Sequence, residues 1–309
     1  MLKKDYPLGV KVYEGPSLID GGPIVVIITG FVDGGNEKTG DMLQAWILRQ
    51  DIPPIQAKIE NKDFTICGDC KHRESKSCYV HLLHGPTPVY NAYLRGRYIR
   101  YTTKCEKFFA GKSLRIGAYG DPAAVPTAVW HRLSLLVIKT NGYSHQWKRC
   151  DQKLQNYCMA SVDSIGTYIK EYDQAQSKGW RTFRTRCFES DPILDNEMIC
   201  IASKEGGKLL DCNHCNSCSG SNSNRKNPVI IVHGAHNKVV NYIKLMKKIA
   251  GKRKWQNLKN PPKSSMFKSL YYYKRNYNGN KYFSITLVKK AKKSKEENDI
   301  LLESLLVVC

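Results

Sequence analysis

Short apolar runs recur along the chain, and most are followed by a turn or an amphipathic stretch. Runs of this kind are typical of buried parallel strands. They cover residues 23–29, 114–118, 142–147, 157–162, 180–185, 198–202 and 228–233. The amphipathic stretches, which predict helices, cover residues 39–49, 124–139 and 165–178. The alternation predicts an α/β fold with a mostly parallel sheet, and six or seven repeats favour a complete or partial βα barrel.

Small and polar residues stand where several of these strands end. They include Asp121 after one strand, His145 after the next and Asp163 after the third. In βα barrels the active site is built from the carboxyl ends of the strands. We therefore predict that these three residues share a catalytic site. The two carboxylates would anchor a cofactor or metal, and the imidazole would act as acid or base.

Two groups of closely spaced cysteines predict metal sites. Thiolates two residues apart on a turn can bind one metal centre, and four sulfurs suit either Zn²⁺ or a [4Fe–4S] cluster. The first group is Cys67, Cys70 and Cys78, with His72, His81, His84 and Cys105 as candidates for a fourth ligand. The second group is Cys200, Cys212, Cys215 and Cys218. Sequence spacing leaves zinc and iron–sulfur both open for each group.

The charge distribution points to a polyanionic partner. The chain of 309 residues carries 49 lysines and arginines against 27 acidic residues, a net charge of +22. Residues 212–295 hold 20 of these basic side chains and no acidic one. Such a segment is typical of nucleic-acid binding.

The sequence predicts two domains, residues 1–251 and residues 252–309, and the second lies largely within the basic segment. The first part would be the barrel-like domain and the second a small β-rich, aromatic-rich appendage with strand-like runs at 269–273 and 281–287. Its cations predict phosphate contacts. They are Lys252, Arg253, Lys254, Lys274, Arg275, Lys289, Lys290, Lys292 and Lys293.

The chain shows no secretory signal at its start and no apolar run long enough to span a bilayer. We therefore expect a cytoplasmic protein without a membrane partner. In a reducing compartment, cysteines are more often metal ligands or buried thiols than disulfides.

Several motifs along residues 13–236 recur together. They include Cys67-Gly-Asp-Cys70, Cys78-Tyr-Val80, the stretch Gly-Ala-Tyr-Gly-Asp-Pro-Ala-Ala-Val-Pro at 117–126, and Gly-Tyr-Ser-His-Gln-Trp at 142–147. This set resembles a family of uncharacterised bacteriophage proteins, which implies the host cytoplasm as the location if the chain is phage-encoded.

A looser resemblance is to radical S-adenosylmethionine enzymes. In that family a partial βα barrel holds a [4Fe–4S] cluster on three cysteines, and the next strand ends in a Gly-Gly-Glu-Pro-like motif that contacts the amino group of S-adenosylmethionine. The resemblance implies that Cys67, Cys70 and Cys78 are cluster ligands, although the family's usual spacing is C-x-x-x-C-x-x-C. It also implies that Gly120-Asp121-Pro122 is the motif that contacts the cofactor. The predicted cofactor-binding set adds four residues at the strand ends, Gly117, Tyr119, Gln146 and Ser161.

Three functions remain open from the sequence. The first is a metal-cluster, radical-S-adenosylmethionine-like barrel enzyme that acts on or with nucleic acid. The second is a zinc-stabilised nucleic-acid-binding protein without catalysis, in which both cysteine groups are structural. The third is a divalent-metal nuclease or hydrolase that uses the carboxylates of Asp121 and Asp163.

Overall fold

The computed structural model describes residues 6–32, 37–215, 217–221, 224–259, 270–277 and 280–287, with side chains described up to residue 251. The chain divides into two compact units, Met1–Trp255 and Gln256–Cys309. No helix within the described ranges is long and apolar enough to cross a membrane.

The first unit contains one ten-stranded mixed sheet with the order β4-β1-β2-β3-β5-β6-β7-β8-β10-β9. The strands are β1 Gly9–Pro16, β2 Pro23–Thr29, β3 Leu43–Arg49, β4 Ile99–Arg100, β5 Ser113–Tyr119, β6 Lys139–Ser144, β7 Met159–Asp163, β8 Thr182–Arg186, β9 Glu197–Ile199 and β10 Asn227–Ile231.

Six consecutive neighbours, from β3 through β5, β6, β7 and β8 to β10, pair in parallel, and β9 adds to β10 in the same direction. Strand β2 pairs antiparallel with both β1 and β3. The expected α/β fold with a mostly parallel sheet is therefore confirmed. The sheet is open, with β4 and β9 at its edges, so the structure shows no closed barrel.

The helices lie mainly in the connections between the parallel strands. They are α1 Pro54–Ile59, α2 Phe64–Cys67, α3 Lys71–Glu74, α4 Pro86–Leu94, α5 Thr127–Ser134, α6 Lys170–Ser177, α7 Cys212–Cys215 and α8 His236–Lys259, which is interrupted at Gly251. Apolar side chains from the sheet and from its connections are buried together and form the core. This core includes the indoles of Trp130, Trp147 and Trp180.

The predicted helix over residues 39–49 is wrong, because residues 43–49 form β3. Apolar residues at 42, 43, 46 and 47 fit one face of a helix, but Leu43, Ala45 and Ile47 also alternate with partly exposed neighbours. The strand lies between β2 and β5, and its backbone groups pair with both. The local sequence fits a helix and a strand almost equally well, and these long-range pairings select the strand.

An ion pair is completely buried between β8 and β9. Arg184 Nε and Nη2 donate to the carboxylate of Glu197 at 2.6 and 2.5 Å, and both side chains are 0% exposed. Arg184 also donates to Ser164 Oγ at 2.7 Å. Because a buried charge is costly unless it is paired, each partner depends on the other.

The second unit contains an antiparallel hairpin of β11 Leu270–Tyr277 and β12 Asn280–Leu287. Both strands overlap the strand-like runs that the sequence predicts at 269–273 and 281–287.

Candidate functional site

The first cysteine group lies in the connection from β3 to β5, at the edge of the sheet where the parallel strands end. Cys67 closes α2, Cys70 precedes α3, and Cys78 follows α3. Arg73 fixes the fold of this loop, because its guanidinium donates to Asp63 Oδ1 at 2.7 Å and to the carbonyl of Gly68 at 3.0 Å. We call residues 63–80 the cysteine loop.

The three cysteines of the cysteine loop are half-buried, and their thiols have raised pKa values. Burial raises the pKa of Cys67 well above its usual range, and the charges of Cys70 and Cys78 raise it further. Burial likewise raises the pKa of Cys70 and of Cys78. The thiolate forms therefore need a cation beside them, which is what a metal centre supplies.

The sulfur atoms do not form a ready-made site for a single zinc ion. Among the residues that the structure describes, His72, His145 and Asp163 are the only three whose potential ligand atoms all lie within 4.8 Å of one another. Tetrahedral zinc holds its sulfurs about 3.8 Å apart. Cysteines on an iron–sulfur cluster bind different irons and stand roughly 6 Å apart.

Asp121 joins the end of β5 to the end of β6 and to the cysteine loop. Its carboxylate is buried and accepts hydrogen bonds from Ser144 Oγ at 2.7 Å and from the backbone N–H groups of Ala123, His145 and Gln146. Its own N–H donates to the carbonyl of Ile66 at 2.6 Å. Burial raises the pKa of Asp121, and these donors with the His145 charge oppose that effect. The sequence predicts the Asp121 carboxylate as an anchor for a cofactor or metal. In the structure its oxygens already accept hydrogen bonds from the protein, and these bonds hold the surrounding backbone in place.

Gln146 makes a second connection to the same loop. Its Nε2 donates to the carbonyl of Cys67 at 3.0 Å, and its side chain lies against Gly68, where a Cβ would meet the Gln146 amide at 2.5 Å. Gly68 has a φ of 59°, which favours glycine. The tight turn between Cys67 and Cys70 thus packs directly on the residue that follows β6.

The other predicted cofactor-binding residues divide into two sets. Gly117, Tyr119, Gly120 and Pro122 lie at the end of β5, beside the cysteine loop. Burial raises the pKa of Tyr119 well above its usual range, and the Cys67 charge adds to it. Ser161 instead lies within β7, paired with Phe183 of β8, and is buried.

The turn at Gly120 leaves no room for a side chain. Its φ is 79°, and an added Cβ would lie 2.7 Å from Ile47 Cβ and 2.9 Å from the Ile47 carbonyl oxygen. We expect Gly120→Ala to lower the free energy of unfolding by about 2–3 kcal/mol, from left-handed backbone strain plus the clash. Urea unfolding measures the change.

Gly111→Ala is the matched control for this prediction. Gly111 has a nearly equal φ of 75°, but an added Cβ would meet nothing within 4 Å. It should cost only the backbone strain, about 1–2 kcal/mol. Equal losses in the two variants would contradict close packing at Gly120.

Asp163, at the end of β7, forms a buried charged network with the cysteine loop. Oδ2 lies 2.8 Å from Lys71 Nζ and 3.1 Å from His72 Nε2, and Oδ1 accepts a hydrogen bond from the Tyr242 hydroxyl at 3.0 Å. Burial raises the pKa of Asp163, but the charges of His72 and Lys71 outweigh it and hold that pKa well below its usual range. Lys71 also pairs with Glu171 at 2.6 Å.

His145 connects the two carboxylates. Its N–H donates to Asp121 Oδ2 at 2.7 Å, and its half-buried ring packs edge-on against the His72 ring, with centroids 5.2 Å apart. The three predicted catalytic residues therefore lie together. Sequence reasoning missed Lys71, Glu171 and Tyr242, and the only signal for Lys71 is its position next to Cys70.

The second cysteine group converges on one small cavity, which all four cysteines line. Cys200 follows β9, Cys212 and Cys215 bound α7, and Cys218 lies in the next loop. The four cysteines thus line one cavity, and the predicted four-sulfur metal site stays a prediction.

The predicted phosphate-binding cations lie outside the described side chains. Of these, Lys252, Arg253 and Lys254 fall within the bounds of α8, and Lys274 and Arg275 fall within β11. Lys289, Lys290, Lys292 and Lys293 fall outside the described residues altogether.

Comparisons with known proteins do not assign the chain to a family. No protein-family model, no curated protein and no solved structure matches the chain.

Proposed function

We propose that this chain is a radical-S-adenosylmethionine-like metal-cluster enzyme that acts on or with nucleic acid. The observation that carries the proposal is the hydrogen bond from the Asp121 N–H to the Ile66 carbonyl, adjacent to Cys67. It places the Gly120-Asp121-Pro122 strand end beside the three-cysteine loop, at the edge where the parallel strands end. In α/β proteins this edge is where ligands bind.

The residues of the cysteine loop fit an iron–sulfur cluster. Burial raises the pKa of each of these half-buried thiols, so their thiolate forms need a cation beside them, and the three sulfurs are spread more widely than around a single zinc ion. The unusual spacing is accommodated by α3, because the Cys78 N–H donates back to the His72 carbonyl at 3.3 Å. When bound, a cluster with an open iron position supplies the binding and reduction of S-adenosylmethionine.

The surrounding side chains position this loop and carry the available acid–base group. Asp121 and Gln146 hold the Cys67 end through backbone hydrogen bonds, and Asp163 holds the Cys70 end through Lys71 and His72. The ring of His145 is half-buried between these two anchors, so it can reach a bound molecule and exchange a proton with it.

Iron analysis tests the cluster. We expect protein purified without oxygen and reconstituted with iron and sulfide to contain about four more irons per chain than its Cys67→Ser/Cys70→Ser/Cys78→Ser variant. Addition of S-adenosylmethionine should change the electron paramagnetic resonance spectrum of the reduced protein, and that change should be absent in the variant.

Cys150→Ser is the control, since Cys150 belongs to neither cysteine group and should leave both results unchanged. Equal iron contents in the wild type and the triple variant would refute the cluster. Zinc in place of iron at this loop would favour the non-catalytic zinc protein instead.

The nucleic-acid partner is supported by charge alone, through the 20 basic and no acidic residues of 212–295. We expect the logarithm of affinity for duplex DNA to fall steeply with the logarithm of salt. Replacing Lys289, Lys290, Lys292 and Lys293 by glutamine should reduce that slope by about 0.9 for each phosphate contact removed.

A matched variant replaces four lysines elsewhere in the chain, Lys58, Lys62, Lys104 and Lys107, by glutamine. It changes the net charge equally but lies outside the basic segment, so its slope should stay near that of the wild type. Equal slopes in all three proteins would remove the case for the appendage as the binding element.

A second candidate function, a divalent-metal hydrolase, is favoured by the close approach of His72, His145 and Asp163. An argument against this function is that Lys71 Nζ lies 2.8 Å from Asp163 Oδ2, so the carboxylate already has a cationic partner. Nuclease activity that requires Mn²⁺ or Mg²⁺ and survives loss of all three loop cysteines would support this alternative.

A further inference from the structure

We propose that Cys200, Cys212, Cys215 and Cys218 bind a [4Fe–4S] cluster of their own, separate from the cysteine loop. This site does not depend on the proposed function. The four side chains line one small cavity, with apolar wall contributed by Met198, Ile201 and Pro228. Cys200, Cys215 and Cys218 are buried and Cys212 is half-buried. Sulfurs that share an enclosed space in a chain without disulfides among its described residues are poised for one metal centre.

The order of the four cysteines along the chain fits an iron–sulfur cluster. Structural zinc sites are built from pairs of ligands two to four residues apart. Here three cysteines follow one another at two-residue intervals, Cys212, Cys215 and Cys218, and a single remote cysteine completes the set. A run of C-x-x-C-x-x-C with a separate fourth ligand is the arrangement of ferredoxin-type clusters.

The sulfurs are not gathered as closely as one zinc ion requires. No three sulfurs of the group lie within 4.8 Å of one another among the described residues, whereas tetrahedral zinc holds them about 3.8 Å apart. In a cluster each sulfur binds its own iron, so wider separations are required.

Basic and hydroxyl groups surround the sulfurs as a negatively charged cluster requires. The Tyr143 hydroxyl donates to Cys218 Sγ at 3.2 Å. Burial lowers the pKa of Arg115, but Tyr79, Tyr143, Cys212 and Cys218 lie close enough to raise it overall. Hydrogen bonds to sulfur and nearby cations stabilise the reduced, more negative state of a cluster.

The loop that carries three of the ligands is fastened to the parallel strands by cationic side chains. Arg181, beside β8, donates to the carbonyls of Ser217 at 3.1 Å and Ser219 at 2.8 Å. Lys139 of β6 donates to the carbonyl of Asn213, between Cys212 and Cys215. The ligands are thus held by rigid elements, which a precise metal site needs.

Arg115 also relates this group to the first one. Its Nη2 donates to the Tyr79 hydroxyl at 2.8 Å, and Tyr79 directly follows Cys78. The same guanidinium also interacts electrostatically with Cys212 and Cys218.

The test uses the full chain with Cys67→Ser/Cys70→Ser/Cys78→Ser, purified without oxygen and reconstituted with iron and sulfide. We expect it to retain about four irons and four sulfides per chain, with sulfur-to-iron charge-transfer absorption. Adding Cys215→Ser and Cys218→Ser to this variant should abolish that iron, whereas adding Cys150→Ser should not. The iron that the triple variant retains reports on the second cysteine group, and the iron that it loses reports on the cysteine loop. The two proposed clusters are therefore tested separately, and one can fail without the other.

Zinc without iron or sulfide in the triple variant, or no metal at all, would overturn the assignment. A second measurement keeps it testable without changing a ligand. Tyr143→Phe should leave the iron content unchanged and lower the reduction potential of the retained cluster, because a hydrogen bond to a ligand sulfur is lost. Tyr157→Phe is the control, and equal potentials in both variants would contradict a cluster on Cys218.

Discussion

Glu197→Gln is expected to lower the free energy of unfolding by about 3–5 kcal/mol, the cost of breaking a buried ion pair by neutralising one partner. The Arg184 guanidinium is 0% exposed, and its Nε and Nη2 donate to the Glu197 carboxylate. The neutral amide leaves this cation in a low-dielectric environment without a counter-charge. Chemical denaturation followed by circular dichroism measures the change.

Glu60→Gln serves as the control for this prediction. Glu60 pairs with Lys62 at 2.7 Å, but the two side chains are 35% and 54% exposed. Solvent screens such a pair, so its loss should produce little measurable change in stability. Similar losses in the two variants would mean that water reaches Arg184.

Much of the fold could be predicted from local patterns, because buried parallel strands need continuous apolar runs. The runs at 114–118, 157–162 and 180–185 overlap β5, β7 and β8. For residues 39–49 the sequence predicts a helix, because the apolar positions fit the period of a helix as well as that of a strand. The deciding interaction is backbone pairing with β2 and β5, and the latter lies some 70 residues later in the chain.

The candidate site was partly predictable for a similar reason. Parallel strands bring their carboxyl ends to one edge, so polar residues there could be expected to meet, and Asp121, His145 and Asp163 do. The partners that neutralise Asp163 could not be expected, because Tyr242 is 79 residues away and comes from α8. No local pattern marks Lys71 as its counter-ion. The expected barrel depends on sheet curvature, which the alternation of elements does not encode, and the sheet is open.

Asp163→Asn is expected to lower the free energy of unfolding by about 3 kcal/mol near neutral pH, at the lower end of the range for a broken buried pair. Lys71 keeps Glu171 as a partner at 2.6 Å, which limits the loss. The amide cannot balance the charges of Lys71 and His72, so the Cys70 end of the cysteine loop should loosen. Faster proteolytic cleavage within residues 63–80 would report that loosening.

The pH dependence distinguishes a charge effect from a packing effect at Asp163. Its folded-state pKa lies well below the usual value, because the charges of His72 and Lys71 outweigh the opposing effect of burial. The carboxylate therefore contributes its full stabilisation above about pH 4, and loses it as the pH falls through the folded-state pKa. The wild type should be more stable than Asp163→Asn between pH 5 and pH 7, and this advantage should shrink below about pH 4. Asp173→Asn, at an exposed position of α6, should follow the wild type throughout. A wild-type advantage that persists undiminished into strong acid would show that Asp163 stabilises the loop by shape and hydrogen bonding and that its charge contributes little.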